Sequence, residues 1–589
     1  MKENWIVINR KTKFENLKKN FNMPDLTLRL LANRDISSKE EAEKFLNGTV
    51  NDLYDGFLMK DMHKAVDIIK DAIDSKKKII IYGDYDCDGV CSTTILYKTL
   101  SEFNANFSYH IPDREAEGYG MSIDRIQKLY DDGCEVILTC DNGISGIEEV
   151  KFAKSLGITV IVTDHHDIPF IENKEGRIPI IPEADAVINP KQQDCNYPFK
   201  DLCGASVALK FSICLAKSLN KQLNCIEELI QFASLATVCD VVDLKDENRI
   251  IVKSGLKLIQ DSQNKGLIAL RKVTGMDGKT IGEYTYGFVY GPCINATGRL
   301  EIADYALELF VTSDENNANK LASKLHKLNI ERQEITTESL EKVKYKLEKE
   351  LKDEKVIVVY EPTIHESIVG IVAGRIREKY NLPTIVLTKG KDMIKGSGRS
   401  TENYNMYEEL NKCKKHIYKF GGHPMAAGLS VKEEDFFNFK KSLVENCPLT
   451  DKDIIPVIKI DSPMAISNIN ENIIEQIEKL RPFGKGNPSP LLADKNIRVS
   501  RVYFMGSEKK FMKFRFNAKN LNGYIEGVNF SQYDLFKEMY TNKFGNEAFL
   551  KLQDTGYSNF NMSIVYYPSI NEFNGNRNIQ LNIKNFRIE

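Results

Sequence analysis

A single tryptophan, Trp5, serves a chain of 589 residues, and no stretch approaches the ~18 consecutive apolar residues that a membrane-spanning helix needs. The opening MKENWIVINRK has no apolar h-region, so a secretory signal is not expected, and the chain reads as cytoplasmic with no membrane partner. Twelve cysteines are scattered without a CxxC pair, which argues against a zinc ribbon and a disulfide framework; they read as buried free thiols of a reducing compartment. Charge of one sign is also lacking: 81 Lys and Arg stand against 83 Asp and Glu, so the chain as a whole is no polycation. Locally the balance shifts, because from Arg481 to the end 16 basic residues face 9 acidic ones. Between Ala303 and Lys355 there is neither Pro nor Gly, and charge alternates with Leu and Ile. That run reads as one or two long solvated helices, a spacer between lobes rather than a partner-binding coiled coil. The length itself suggests three or four domains.

What the sequence does hold is carboxylate at the ends of apolar runs. Residues 79–92, IIIYGDYDCDGVCS, place Asp84, Asp86 and Asp88 two apart and close with Gly89. Three carboxylates so close repel one another unless a cation lies between them. EVILTC ends at Asp141, ITVIVT ends at Asp164-His165-His166, and the helix-like ELIQFASLATVC ends at Asp240. Continuous apolar strands belong to a parallel sheet buried on both faces, whose carboxyl ends open into the ligand crevice. Asp86, Asp88, Asp141, His165 and Asp240 can therefore meet in space. Taken singly, a strand-end Asp also reads as a turn or helix cap, and Asp240 as an ordinary helix end; their joint occurrence favours a site. Carboxylates mixed with imidazole suit Mg2+ or Mn2+, and two such ions point to phosphodiester or phosphoanhydride hydrolysis.

At Asp164-His165-His166 the chain resembles the DHH phosphoesterase family, and within it the single-strand-specific 5′→3′ DNA exonucleases. The likeness continues in LCGASVALK (202–210), ATVCDVVDL (236–244), GPCINATGRL (291–300), HESIVGIVAGR, GSGRS, FGGHPMAAGL and RPFGKGNPSP (481–490). It implies that Asp86, Asp88, Asp141, His165 and Asp240 hold two divalent ions with Asp84 and Asp164 close by, and that His166 faces the scissile phosphate. It implies substrate contacts from Asn295, Arg299, Arg375, Ser397, Arg399, Gly421, Gly422 and His423, with Arg375, Ser397 and Arg399 at the 5′ phosphate. Cys293 stands where members commonly carry Arg, which leaves more of the phosphate contact to Arg299. Ile364 and Glu366-Ser367 likewise replace the usual neighbours of His365. Single-stranded DNA is the implied partner, with single-strand binding protein and a RecQ-type helicase as further ones, in recombination and repair by a monomer.

The expected architecture is multidomain α/β. Residues 1–70 are expected to pack on a doubly wound parallel-sheet domain at 71–302, followed by a connecting helix at 303–354 and a smaller α/β DHH-associated domain at 355–452. An oligonucleotide-binding (OB-like) β-barrel is expected at 453–589, where 19 Phe and Tyr between Phe483 and Phe586 interleave with the basic excess. Lys509, Lys510, Lys513 and Arg515 are the candidates for its basic face. Two other readings compete: a phosphodiesterase of cyclic dinucleotides or very short oligonucleotides, which would leave the barrel without a use, and a non-catalytic single-strand-binding scaffold.

Overall fold

The computed structural model describes residues 3–173, 176–351, 353–506, 510–517, 523–573 and 575–589. It divides into two compact units, one made of residues 53–242 and 251–456, the other of residues 3–52, 243–250 and 457–589.

The first unit begins with strands β1 (Ile79–Tyr82), β2 (Phe107–His110), β3 (Val136–Thr139), β4 (Thr159–Thr163) and β5 (Ala186–Ile188). They form one parallel sheet in the order β2-β1-β3-β4-β5. Alternate residues of the same strand go to different cores. Ile79, Ile81, Val136, Leu138 and Ile161 join the core that includes helices Cys87–Glu102, Gly204–Ser218 and Ile226–Cys239. Ile80, Tyr82, Ile137, Val160 and Val162 pack against helices Ile123–Asp131 and Ile147–Ser155. Burial on both faces is why these strands read as unbroken apolar runs, and it makes the sheet doubly wound, as expected. The carboxyl ends of β1, β3 and β4 lead directly to Asp84, Asp141 and Asp164.

The Gly- and Pro-free run forms helix Asp304–Val311 and then a 36-residue helix, Glu315–Glu350, capped by Asp314, whose carboxylate accepts from the Asn316 and Asn317 N–H groups at 3.0 and 3.2 Å. At 1.5 Å per residue it spans about 54 Å. Leu321 and Leu325 near its start belong to the core of the parallel-sheet lobe, whereas Val343 and Leu347 near its end pack with the second lobe. That lobe carries β6 (Ile357–Tyr360), β7 (Thr384–Lys389), β8 (Ile394–Arg399), β9 (Lys419–His423) and β10 (Ala426–Val431), ordered β9-β10-β8-β7-β6. Only the β6–β7 pair is parallel, bridged by helix Val369–Tyr380.

The second unit is built on a five-stranded closed barrel of strands Leu492–Met505, Phe511–Asn517, Tyr524–Asn529, Tyr557–Phe573 and Asn576–Ile588, in which Leu492–Met505 pairs at both edges. Closure removes the exposed strand edges. The N-terminal segment departs from expectation. Residues 3–52 belong to this unit, not to the parallel-sheet domain: strand Asn4–Val7 pairs in parallel with Val457–Ile460, and Leu17, Leu28, Leu30 and Leu31 share a core with Ile466, Ile477 and Leu480. The apolar stripe at Leu26, Leu28, Leu30 and Leu31 dictates a buried helix face, but not which partner buries it. Of the expected basic face, Lys509 lies outside the described residues, while Lys513 and Arg515 are paired with Glu526 at 2.5 and 3.5 Å.

Candidate metal centre and phosphate pocket

The loops after β1, β3 and β4 and the C-terminus of helix Ile226–Cys239 bring Asp84, Asp86, Asp88, Asp141, Asp164, His165, His166 and Asp240 into one cluster. Donor atoms of Asp88, His165 and Asp240 lie within 4.8 Å of one another, as do those of Asp84, Asp86 and Asp141. His165 Nε2 is 3.0 Å from Asp141 Oδ1, 3.6 Å from Asp88 Oδ2 and 3.8 Å from Asp240 Oδ2.

Local folding fixes each donor. Asp86 caps helix Cys87–Glu102, its Oδ1 accepting from the Asp88 and Gly89 N–H groups at 2.9 and 3.1 Å; the cap and cluster readings of this residue coexist. Asp88 accepts from the Gly204 and Ala205 N–H groups, both at 2.7 Å, at the N-terminus of a 15-residue helix where the peptide dipoles favour an anion. A Cβ on Gly204 would lie 2.6 Å from Asp141 Oδ1, so only glycine lets that helix approach so closely. Asp141 itself is held at φ +62°, a left-handed conformation that costs a non-glycine residue about 1 kcal/mol or more and is found where a site over-determines it.

Electrostatics separate the roles. Burial first, and then neighbouring carboxylates, push Asp84, Asp88, Asp141 and Asp240 above the usual carboxylate range. Burial pushes His165 down to about 4, leaving its imidazole neutral with a lone pair available. Asp84 Oδ1, Asp141 Oδ1 and His165 Nε2 are buried without any hydrogen-bond partner. Buried polar atoms are ordinarily satisfied. Three orphaned acceptors converging among repelling carboxylates fit hard divalent cations with mixed O and N donors.

Asp164 is held by hydrogen bonds on both of its oxygens. Its Oδ1 accepts from the His165 and His166 N–H groups at 2.7 and 3.1 Å and from His166 Nδ1 at 2.7 Å, and its Oδ2 accepts from the Ile144 N–H at 2.9 Å. Burial alone would raise this carboxyl, but His166 and His165 outweigh it and hold it well below the usual range. With its lone pairs so engaged, Asp164 is a positioning residue. Burial disfavours charge on His166, yet Asp164 prevails and pushes it up to about 9, so an imidazolium faces the site at neutral pH. Tyr119, not singled out in the sequence, stands 3.2 Å from His166 Nε2. Its flanking Gly118 and Gly120, both at positive φ, were the available signal.

Two pockets are lined by residues of both lobes, and one of them includes cluster residues. One, of about 330 Å³, is lined by Tyr119, Gly143, Asp164 and His166 from the first lobe and by His423 from the second. Gly421 and Gly422 precede His423 on β9; Gly422 has φ +147°, and a Cβ there would meet the Ala426 carbonyl at 2.3 Å. The other pocket, of about 390 Å³, is lined by Arg114, Arg299, Ser367, Ser397 and Arg399 among others. Arg399 Nη1 donates to Ser397 Oγ at 2.7 Å and to the Gly398 carbonyl at 2.8 Å, and Arg299 Nη1 donates to the Ser367 carbonyl at 2.5 Å. Arg375 is not part of that lining; it is exposed and 3.6 Å from Glu378. Asn295 accepts from the Cys87 N–H at 2.7 Å, which braces the carboxylate loop.

A carboxylate–histidine centre at the carboxyl edge of a doubly wound sheet, joined by a long helix to a glycine-rich lobe, defines a phosphoesterase of the DHH family. The family model described as the DHH family N-terminal domain matches residues 78–237, the DHHA1 domain 353–447 and the RecJ OB domain 460–585. The single-stranded-DNA-specific exonuclease RecJ of Bacillus subtilis is 35% identical over 97% of this chain and 69% of its own length. That of Escherichia coli is 30% identical over 96% of both chains. The crystal structure of RecJ from Thermus thermophilus with Mn2+ superposes with a TM-score of 0.80, covering 99% of this chain and 79% of that one at 24% identity. The chain belongs to the RecJ family.

Proposed function

We infer that this chain is a metal-dependent exonuclease specific for single-stranded DNA, hydrolysing phosphodiester bonds from the 5′ end to release 5′-mononucleotides in recombination and repair. The observation that carries the reading is the 30–35% identity to single-stranded-DNA-specific exonucleases over 96–97% of the chain, barrel included. A short-oligonucleotide or cyclic-dinucleotide phosphodiesterase, or a scaffold without catalysis, is not favoured by relatives whose likeness extends through the barrel.

Asp84, Asp86, Asp88, Asp141, His165 and Asp240 would hold two divalent cations, Mn2+ or Mg2+; the three orphaned buried acceptors support this ligand set. Such ions supply Lewis acidity at the phosphorus and acidify a water beside it. The chain's own groups orient the reaction. His166, kept charged by Asp164, offsets negative charge on the scissile phosphate and can donate a proton to the departing 3′ oxygen as the water oxygen bonds to phosphorus. His423 and the open backbone at Gly421 and Gly422 face the nucleotide from the second lobe. Ser397, Arg399 and Arg299, with Arg375 nearby, take the 5′ phosphate, which sets polarity. A monomeric state, a cytoplasmic location and partnership with single-strand binding protein and a RecQ-type helicase complete the proposal. No helix among the described residues is long and apolar enough to cross a membrane.

The test is digestion of a single-stranded oligonucleotide labelled at either end, with a duplex control. Early release of the 5′ label as mononucleotide, late loss of the 3′ label and an intact duplex are expected; 3′ label leaving first, or equal attack on duplex, overturns the assignment. Arg399→Ala is expected to raise KM for a 5′-phosphorylated strand about 10- to 100-fold, the size of a lost charge-assisted contact, with a smaller change on a 5′-hydroxyl strand. Equal KM effects on both strands would remove Arg399 from the phosphate site.

A further inference from the structure

The loop of residues 113–120, between β2 and helix Ile123–Asp131, reaches both pockets. Arg114 lines the pocket of about 390 Å³, and Tyr119 lines the one of about 330 Å³ with its hydroxyl 3.2 Å from His166 Nε2. From Asp113 to Tyr119 no residue is buried, so no core side chain fixes the segment. Gly118 and Gly120 take φ +85° and +79°, and nothing lies within 4 Å of a Cβ built at either. Left to itself such a stretch is free to swing on its glycines.

One carboxylate holds it. The Glu117 side chain is 14% exposed and both its oxygens are taken. Arg125 donates through Nε to Oε2 at 3.0 Å and through Nη2 to Oε1 at 2.9 Å, and His110 Nε2 stands 3.0 Å from Oε2. Arg125 belongs to helix Ile123–Asp131 and His110 ends β2, so the loop is tied to a regular element on each side. The backbone closes around the same point. The Asp113 carbonyl accepts from the Glu117 and Gly118 N–H groups at 2.8 and 3.1 Å, and Asp113 Oδ1 accepts from the Glu115 and Ala116 N–H groups, both at 2.8 Å. Tyr85 touches both presented side chains: its ring centroid is 5.4 Å from the Arg114 guanidinium and, edge to face, 6.4 Å from that of Tyr119. A bidentate Arg–carboxylate pair fixes geometry as well as charge, which is what a segment without an apolar anchor needs.

We propose that Glu117 is a positioning residue that sets Arg114 at the 5′ phosphate of the strand and Tyr119 beside His166 through one loop. The proposal rests on the nuclease reading and deepens it: capture of the phosphorylated end and the stance of the imidazolium share a single anchor. A strand that ends in a 5′ hydroxyl gives Arg114 no anion to meet, so loosening the anchor weighs most on phosphorylated strands.

The experiment compares steady-state cutting of 5′-phosphorylated and 5′-hydroxyl single strands by wild type, Glu117→Gln, Arg125→Lys, Arg114→Ala and the Glu117→Gln/Arg114→Ala double variant. Glu117→Gln keeps the shape and removes the charge that holds the fork. It is expected to raise KM about tenfold for the phosphorylated strand and less than about threefold for the hydroxyl strand. Arg125→Lys keeps the charge without the fork, and Arg125 lines neither pocket; it should move the same ratio the same way by a smaller factor. In the Arg114→Ala background Glu117→Gln should raise KM no further, the non-additivity of two residues that act through one contact. KM effects that multiply in the double variant, or that are equal on the two strands, overturn the proposal. So does a fall in kcat alone with the KM ratio unmoved, which is the mark of a merely structural pair. Failure of the wild type to cut single strands would instead defeat the nuclease reading; the same cycle, run in EDTA by fluorescence anisotropy of the phosphorylated strand, then decides the role of Glu117 without cutting.

Discussion

Asp141→Ala is expected to reduce cleavage of single-stranded DNA by about 1,000-fold or more, the several kcal/mol that metal-borne charge stabilisation contributes to a phosphoryl transition state. Asp141 has a donor atom in two overlapping groups, with Asp84 and Asp86 on one side and with His165 on the other, so its loss disturbs the cluster as a whole. His165→Ala should approach the same loss. DNA binding should survive in both variants, because Ser397, Arg399 and Arg299 lie in a separate pocket. A thermal comparison separates this reading from a structural one. In EDTA the cluster is a set of buried carboxylates raised by desolvation and by one another, so Asp141→Asn relieves repulsion and should melt no lower than the wild type. With Mn2+ added, the wild type should gain stability by mass action and the variant much less. Cleavage within tenfold of wild type, or equal metal-induced shifts in both proteins, would sink the assignment.

The second large effect is on stability. Arg249 is 1% exposed, and its guanidinium donates to the Phe45, Leu480 and Arg481 carbonyls at 2.7, 2.8 and 2.7 Å while stacking 3.8 Å from the Phe45 ring centroid. One side chain thus ties the N-terminal helices to the turn that leads into the barrel. Arg249→Ala leaves at least three carbonyl oxygens without their donor and opens a cavity, for an expected loss of about 3–5 kcal/mol in the second unit. Arg249→Lys should lose less, since an ammonium can still meet one or two of them. Urea denaturation followed by the fluorescence of Trp5, whose ring stacks 4.4 Å from Arg587 in the same unit, reads this directly. A loss below about 1 kcal/mol would mean that water or rearranged backbone replaces the guanidinium.

The same residue shows where sequence reading stops. The parallel sheet was legible because burial on both faces writes VILT and TVIVT as unbroken apolar runs, and the cluster was legible because each run ends on its donor. The closed barrel was legible in the alternation of FMKFRF and NIQLNIKNF. What could not be read was partnership over long separations. Nothing in residues 243–250 marks them as belonging with residue 480 rather than with the helices on either side, and nothing in the N-terminal segment names residues 457–589 as its partner. Within the site, the Asp-His-His motif does not reveal that Asp164 is saturated by hydrogen bonds and serves His166. That outcome depends on the Ile144 N–H, 20 residues away, arriving at its second oxygen.

The interleaving of the second unit also sets a timetable for synthesis. Its first segment ends at Asp52 and its last begins at Val457, so about 400 residues must be translated between them, which at 5–20 residues per second takes about 20–80 s. Over that interval Leu17, Leu28, Leu30 and Leu31 wait without Ile466, Ile477 and Leu480, while the segments of the parallel-sheet unit all emerge before residue 457. A nascent chain therefore carries an unburied leucine surface at its leading end for most of its time on the ribosome.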